Sequence, residues 1–250
     1  MVRTRLIPVL LLHEESLVKT RRFKKFTYVG DPANTVRIFN ELEVDELLFL
    51  DVRASLKATV PNYEVLRDIA DECFMPLGYG GGVTSLEIAK RVFDTGFEKI
   101  ALNTALHSNM TIAEEISAHY GSQALIGSID VKKDFLGRRR VYTKGGKKAT
   151  GIDPVEWAMQ LESAGVGELL VTSIDHEGTW AGFDLDLVRS IADAVKIPVV
   201  AHGGAGKPEH IEAVISSSNA SAVGLGSMVV FQKKDMGVLV NFPNVNNINL

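Results

Sequence analysis

The sequence predicts an α/β protein: a single (β/α)8 TIM barrel assembled from two related half-barrels. Three observations carry that prediction. Landmarks of the first half return in the second at one spacing. ELLFLD (46–51) returns as ELLVTS (168–173), PLGYGGG (76–82) as PVVAHGG (198–204), and IALNTA (100–105) as AVGLGS (222–227), each 122 residues on. A period this long exceeds that of solenoid repeats and marks duplication of a half-domain. Each matched piece is also a short apolar run closing in Gly, Asp, Asn, Thr or Ser, as strands do where they reach a catalytic face. Finally, 250 residues is the ordinary size of one barrel, and no composition shift marks a linker, so residues 1–250 read as one domain.

The elements follow in order. Residues 6–12 form the first strand; the seven-residue apolar run contains Pro8 and lacks a small-residue cleavage site, which argues against a signal peptide. Asp31–Pro32 then opens a helix over 34–42, because a capping acid followed by Pro is a helix-start signal. The second strand, 46–51, precedes helical periodicity over 63–73, and the third, 76–78, precedes a helix over 85–95 introduced by Thr84–Ser85. The fourth strand, 99–102, leads to a helix over 112–120, and the fifth spans 124–130. Asp153–Pro154 starts a helix over 154–164 before the sixth strand, 168–172. A helix over 184–194, the seventh strand 198–201, a helix over 208–217 entered at Lys207–Pro208, and the eighth strand 222–225 complete the alternation. Eight strand–helix alternations predict a closed parallel sheet. Two connections, 12–35 and 131–152, exceed tight turns and are rich in Lys, Arg and Gly; long loops at a catalytic face are lids or binding loops. The tail after Gln232 ends NFPNVNNINL, with Pro243 interrupting it, so the last helix is expected to be short or irregular.

Composition narrows the function. A net charge of −4 argues against general nucleic-acid binding, and no run of about 18 apolar residues predicts a membrane span. The lone Cys73 cannot form an internal disulfide and reads as a buried small hydrophobe in a cytoplasmic protein. No Cys/His spacing suggests a metal, and no cofactor is expected.

Two glycine-rich strand ends stand out. Gly81 and Gly82 in YGGGV, with Asn103 and Thr104 one strand on, have counterparts in Gly203 and Gly204 of HGGAGK, with Gly226 and Ser227 one strand on. Glycines let backbone N–H groups approach a phosphate closely, and the second pair lies after strands 7 and 8, where barrels commonly bind phosphate. Two similar cradles suit a ligand with two similar ends.

The segments DELLFLDVRAS, YGGGV, KIALNTA, GSQALIGSID, GKKATGI, GELLVTSID and HGGAGKPEH together resemble the cyclase subunit of imidazole glycerol phosphate synthase, in the histidine-biosynthesis barrel family, over residues 5–230. The resemblance implies a bis-phosphorylated ligand, ammonia supplied by a separate glutaminase subunit in a heterodimer, and two aspartates exchanging protons with the substrate. Asp130, in GSIDVKK, matches the catalytic aspartate of strand 5. The family's strand 1 aspartate falls where this chain has Leu11, which can neither give nor take a proton. His13, Glu14 and Glu15 lie two or more residues along, displaced by several ångströms at about 3.3 Å per residue, too far to substitute. The family's DxDGT reads DHEGT here, with Glu177 keeping a carboxylate. Asp51, Thr172, Asp175, Gly178 and the strand 1 lid lysine Lys19 complete the implied binding set.

At the opposite end, Arg5, Glu46, Lys99 and Glu168 match a ring of charges through which the family admits ammonia. Charges at strand starts facing a barrel axis are uncommon, and four alternating signs can close a salt-bridge ring. The conduit is thus expected to be intact while one proton-transfer residue is gone. The resulting expectation is a divergent paralogue that docks a glutaminase and channels ammonia with weak or absent cyclase activity. It would serve a third amidotransferase or ligase protein making acetamidino sugars for surface polysaccharide. The alternative is a working cyclase (lyase) of histidine biosynthesis relying on Asp130.

Overall fold

The computed structural model describes residues 4–244 and 248. In chain order its elements are β1 (Arg5–His13), β2 (Ser16–Arg21), β3 (Lys24–Gly30), α1 (Pro32–Glu41), β4 (Leu47–Asp51), α2 (Ala54–Lys57), α3 (Tyr63–Glu72), β5 (Leu77–Gly80), α4 (Leu86–Phe93) and β6 (Lys99–Leu102). There follow α5 (Thr104–Ser108), α6 (Thr111–Tyr120), β7 (Leu125–Lys133), β8 (Arg139–Thr143), β9 (Lys148–Ala149), α7 (Pro154–Ser163), β10 (Glu168–Ser173), α8 (Leu185–Ala192), β11 (Val199–His202), α9 (Pro208–Ser218), β12 (Ala222–Leu225) and α10 (Ser227–Val230). Strands β1, β4, β5, β6, β7, β10, β11 and β12 pair in parallel in that order, and β12 returns to β1. The chain is a closed (β/α)8 barrel, as the alternation predicts.

The helix starts follow their capping chemistry. Asp31 accepts from Asn34 N, Ser85 from Ile88 N, and Asp153 from Val155 N and Glu156 N, each satisfying a donor that a helix end leaves free. The first helix begins two residues before the periodic pattern because Pro32 is preorganised for a helix start. The third barrel strand runs on to Gly80, past the predicted stop, because pairing with both β4 and β6 holds it extended. The half-barrel echo also slips by one. Gly78 pairs with Lys99 and its counterpart Val200 with Ala222, so Asn103 and Thr104 correspond to Gly226 and Ser227, 123 residues on. Their backbones agree: Asn103 (φ −127°, ψ −82°) and Gly226 (φ −105°, ψ −102°) both precede one short helix.

Alternate strand residues point into the barrel. Two steps above Arg5, Glu46, Lys99 and Glu168 come Ile7, Leu48, Ala101 and Leu170, which with Val9, Ile126, Val200 and Ala222 form a buried apolar lumen. Their strand neighbours, among them Leu6, Leu10, Leu47, Ile100, Leu169 and Val223, pack outward against the helices. Two further steps along β1 bring Leu11 to the mouth, and the same period along β7 carries Ile126 through Ser128 to Asp130.

Both long connections fold as antiparallel extensions of the barrel rather than as open loops. Strands β2 and β3 continue from β1, and β8 and β9 from β7. Arg22 and Phe23, both at positive φ (55° and 58°), form the tight turn between β2 and β3. Among the described residues the last helix is the four-residue α10, which ends before Gln232 and is followed by an isolated bridge between Phe231 and Val238; residues 245–247, 249 and 250 of NFPNVNNINL lie outside the described residues. Cys73 is half-buried rather than buried, with its thiol donating to Met75 O at 3.3 Å. No described helix is long and apolar enough to cross a membrane, and no cluster of metal-binding side chains occurs among the described residues.

Candidate functional site

A cavity of about 470 Å³ opens at the C-terminal ends of the strands, bordered by Asp51, Gly81, Gly82, Asn103, Thr104 and Asp130. A narrow cleft beside it is walled by Gly178, Gly203, Gly204, Gly226 and Ser227, and the two share Glu177 and His202. Thr172 also lines the larger space. The predicted binding residues therefore gather at one mouth, with Lys19 set against Gly226 of the cleft wall and Asp175 outside both spaces. The turns require glycine: Gly81 has φ 128° with Asp51 Cβ 2.7 Å from where its own β-carbon would stand, and Gly204 has φ 118° with Gly182 O 2.0 Å from the same point.

Asp130 leaves β7 facing the cavity, its Oδ2 accepting from Asn103 Nδ2 at 2.9 Å. Burial, reinforced by the Glu177 charge, pushes its carboxyl up to about 7. A group in that range can both hold and release a proton near neutrality. The shift has a stability consequence. In the unfolded chain Asp130 ionises near pH 4, whereas the folded site resists until about 7. The folded state thus binds the extra proton, and stability falls as pH rises through that window. Asp130→Asn is expected to raise neutral-pH stability by roughly 1–3 kcal/mol and to flatten the decline between about pH 4 and 7, as read by denaturant unfolding across that range. Asp51, by contrast, spends Oδ1 on Arg53 N (2.8 Å) and Ala54 N (2.9 Å), holding the turn after β4.

The β2–β3 hairpin is latched over the mouth. Glu177 accepts from Thr20 Oγ1 and Phe23 N, both at 3.0 Å, and its carbonyl accepts from Arg22 N at 2.9 Å. Asp175 lies outside the cavity and ties the two lids together: its carbonyl accepts from Arg22 Nε and its carboxylate from Lys133 N. Lys19 is buried, donating to Val9 O at 2.7 Å; burial draws its ammonium down to about 8 against the pull of Glu177. Glu177→Ala removes two hydrogen bonds to a carboxylate, together worth on the order of 2 kcal/mol or more. Trypsin is expected to cut after Arg21, Arg22, Lys24 or Lys25 roughly tenfold faster in that variant. Unchanged cleavage would mean that the latch does not hold the hairpin.

Two mouth residues were missed by the sequence reading. His202, one residue beyond the predicted seventh strand, sits with Nδ1 3.0 Å from Thr172 Oγ1; burial, with Lys19 nearby, drives its pKa down to about 3, so the ring is neutral. Its inward phase, two residues after Val200, was the available signal. Arg53 lines the cavity two residues past Asp51, and nothing in the local pattern marks it. Leu11, as expected, faces the cavity.

At the opposite end, Arg5 bonds to Glu46 (2.6 Å) and to Glu168, while Lys99 bonds to the same two acids at 2.8 and 3.1 Å. The four charges close into a ring beneath the apolar lumen. Glu46 and Glu168 are buried. Burial works against the Arg5 charge, yet the two carboxylates hold its pKa above the usual value.

The histidine biosynthesis protein family matches residues 5–235. The chain belongs to this family. A Pseudomonas aeruginosa relative named imidazole glycerol phosphate synthase subunit hisF2 is 46% identical over 250 residues, the whole of both chains. A Leptospira borgpetersenii relative named as the HisF subunit of that synthase is 41% identical over 245 residues, 98% of this chain and 96% of its own. The Vibrio vulnificus relative named subunit hisF3 is 40% identical over 245 residues, 98% and 94% of the two chains. The chain is thus a (β/α)8 barrel of the histidine biosynthesis family, similar to proteins named as subunits hisF2, HisF and hisF3 of imidazole glycerol phosphate synthase.

Proposed function

We propose that this chain is the ammonia-conducting barrel of a glutamine amidotransferase, with little cyclase activity of its own. A glutaminase subunit docks at the N-terminal face, and ammonia enters past Arg5, Glu46, Lys99 and Glu168. It travels the apolar lumen and leaves at the mouth for a third protein, which converts an acetamido sugar to an acetamidino sugar for surface polysaccharide. Ammonia is small and crosses an apolar passage as the neutral species, so a lumen of Ile7, Leu48, Ala101 and Leu170 suits it.

One observation carries the reading. Leu11 projects into the mouth cavity that Asp130 also borders, leaving an acid–base site with one partner. Proton transfer needs a group within hydrogen-bond reach on each side of the reacting atoms, and a leucine supplies none. The ring at the far end keeps all four charges.

The test is turnover of the cyclase substrate with free ammonium, which bypasses any glutaminase, together with co-elution of the chain and a glutaminase subunit of the synthase. Binding without turnover supports the conduit. Turnover at roughly 1 s⁻¹ or faster would restore the alternative, a working cyclase resting on Asp130.

A further inference from the structure

The charges of this chain are segregated. Its two lid hairpins, residues 16–30 and 131–149, carry thirteen of the 27 Lys and Arg residues and one of the 31 Asp and Glu residues. The lids are therefore strongly positive, while the remaining residues hold a net charge of −16. Like charges crowded together repel, so a rim of this kind is explained by what it meets. A ligand inside the mouth does not account for it. Arg21, Lys24, Lys25, Lys133, Lys144 and Lys148 are all exposed, and none borders the cavity or the cleft. None is paired with a carboxylate among the described residues.

The same rim presents apolar side chains to water. Phe135 is 93% and Leu136 61% exposed at the β7–β8 tip, and Tyr28 is 65% exposed on β3. The tip is firmly built. Asp134 Oδ1 accepts from Leu136 N and Arg138 N, both at 2.9 Å, and Oδ2 accepts from Arg138 Nε at 2.9 Å. Gly137 N donates to Asp134 O at 3.0 Å. Arg139 ties the hairpin to Asp184, at the start of α8, at 2.7 Å. The first lid is held by Glu177, and the lids meet where Gly146 stands against Phe23. A turn that already fixes a phenyl ring in water needs little further ordering on binding. Aromatic anchors with a polar, charged surround are the usual energetic centre of a protein interface.

We propose that the lid rim is the docking surface for the protein that receives ammonia, which meets it with an acidic face into which Phe135 inserts. The inference rests on the conduit reading and supplies its exit side. Ammonia released into water near neutrality takes up a proton, and ammonium is no nucleophile, so the receiving protein must close over the mouth. A face that closes over the mouth meets both lids, and negative charge on it matches theirs. A small anion seated in the cavity does not reach these residues, and a membrane laid on the rim would stopper the exit. The bulk of the chain, at −16, repels nucleic acid.

Calorimetric titration of the full chain into the acetamido-sugar amidotransferase encoded in the same genome tests it. Raising salt from about 0.05 to about 0.5 M is expected to weaken native binding roughly tenfold or more. Phe135→Ser, at a fully solvated site, should weaken it about tenfold or more. Joint reversal of Lys24→Glu, Lys25→Glu, Lys144→Glu and Lys148→Glu should weaken it about a hundredfold. Glutamine at the same four positions covers the case in which reversal disturbs folding, with a loss of about tenfold. Native binding that none of these variants alters places the docking face elsewhere and overturns the proposal, while the conduit reading stands. Absence of native binding overturns it too, and co-elution with a glutaminase subunit, which meets the opposite face, then reports separately on the conduit. Flotation with vesicles of phosphatidylglycerol and phosphatidylcholine in equal parts, lost in Phe135→Ser, would assign the rim to a membrane. Retention on single-stranded DNA, lost in the charge-reversed chain, would assign it to nucleic acid. Either result overturns docking of an acceptor protein.

Discussion

Leu11→Asp is expected to raise cyclase turnover with free ammonium by roughly 10²-fold or more over the native chain, since losing one partner of an acid–base pair costs about 10²–10⁴-fold. The geometry favours recovery. Leu11 follows Val9 by two residues on β1, its side chain borders the mouth cavity, and Asp130 borders the same space. Asp130 is also poised, its carboxyl raised to about 7 by burial and the Glu177 charge. The gain should vanish when Asp130→Asn is added, because the two groups act as one unit. A new carboxylate beside Leu50 and Val18, the residues opposite Leu11 in β4 and β2, carries a desolvation cost of about 1–3 kcal/mol. Thermal denaturation must therefore accompany the assay. A folded Leu11→Asp chain that remains inactive would show that the site around Asp130 has diverged further than one residue.

The barrel was legible because its signals are periodic. Short apolar runs recur eight times, and each is held by pairing on both sides, so tertiary context reinforces the local pattern. The four ring charges were legible through resemblance and were then found closed. Other features depend on contacts between segments distant in sequence. The 12–35 connection carries five basic residues and no clean alternation, and it becomes a hairpin only because β1 extends to pair with β2. Lys19 was expected as a lid residue; its tucked position over Gly226 arises from the Glu177 latch, 158 residues away along the chain. Asp175 was expected to bind ligand, but the donors that reach it come from the two lids, which no spacing rule foresees. Arg53 is one arginine in a chain with 27 Lys and Arg residues, and only its unpartnered Nε sets it apart.

Glu168→Gln is expected to lower stability by about 1–3 kcal/mol, a fall in melting temperature of roughly 3–10 °C for a barrel of this size. The neutral amide leaves Arg5 and Lys99 sharing the single carboxylate of Glu46 beneath an apolar lumen. The cost stays below that of a fully buried pair because the Arg5 and Lys99 side chains are 31% and 20% exposed and water screens them. The paired substitution Lys99→Met with Glu168→Leu should cost less than the single change. It removes one charge of each sign and leaves the Arg5–Glu46 bond at 2.6 Å intact, and apolar replacement of a buried ion pair is often nearly neutral. Equal melting temperatures for the single and paired variants would refute charge balance as the ring's stabilising principle. If the order holds, an uncharged and equally stable entrance was available to this fold. The retained ring then calls for a reason other than stability, and passage of a small neutral solute is one that the apolar lumen above it supports.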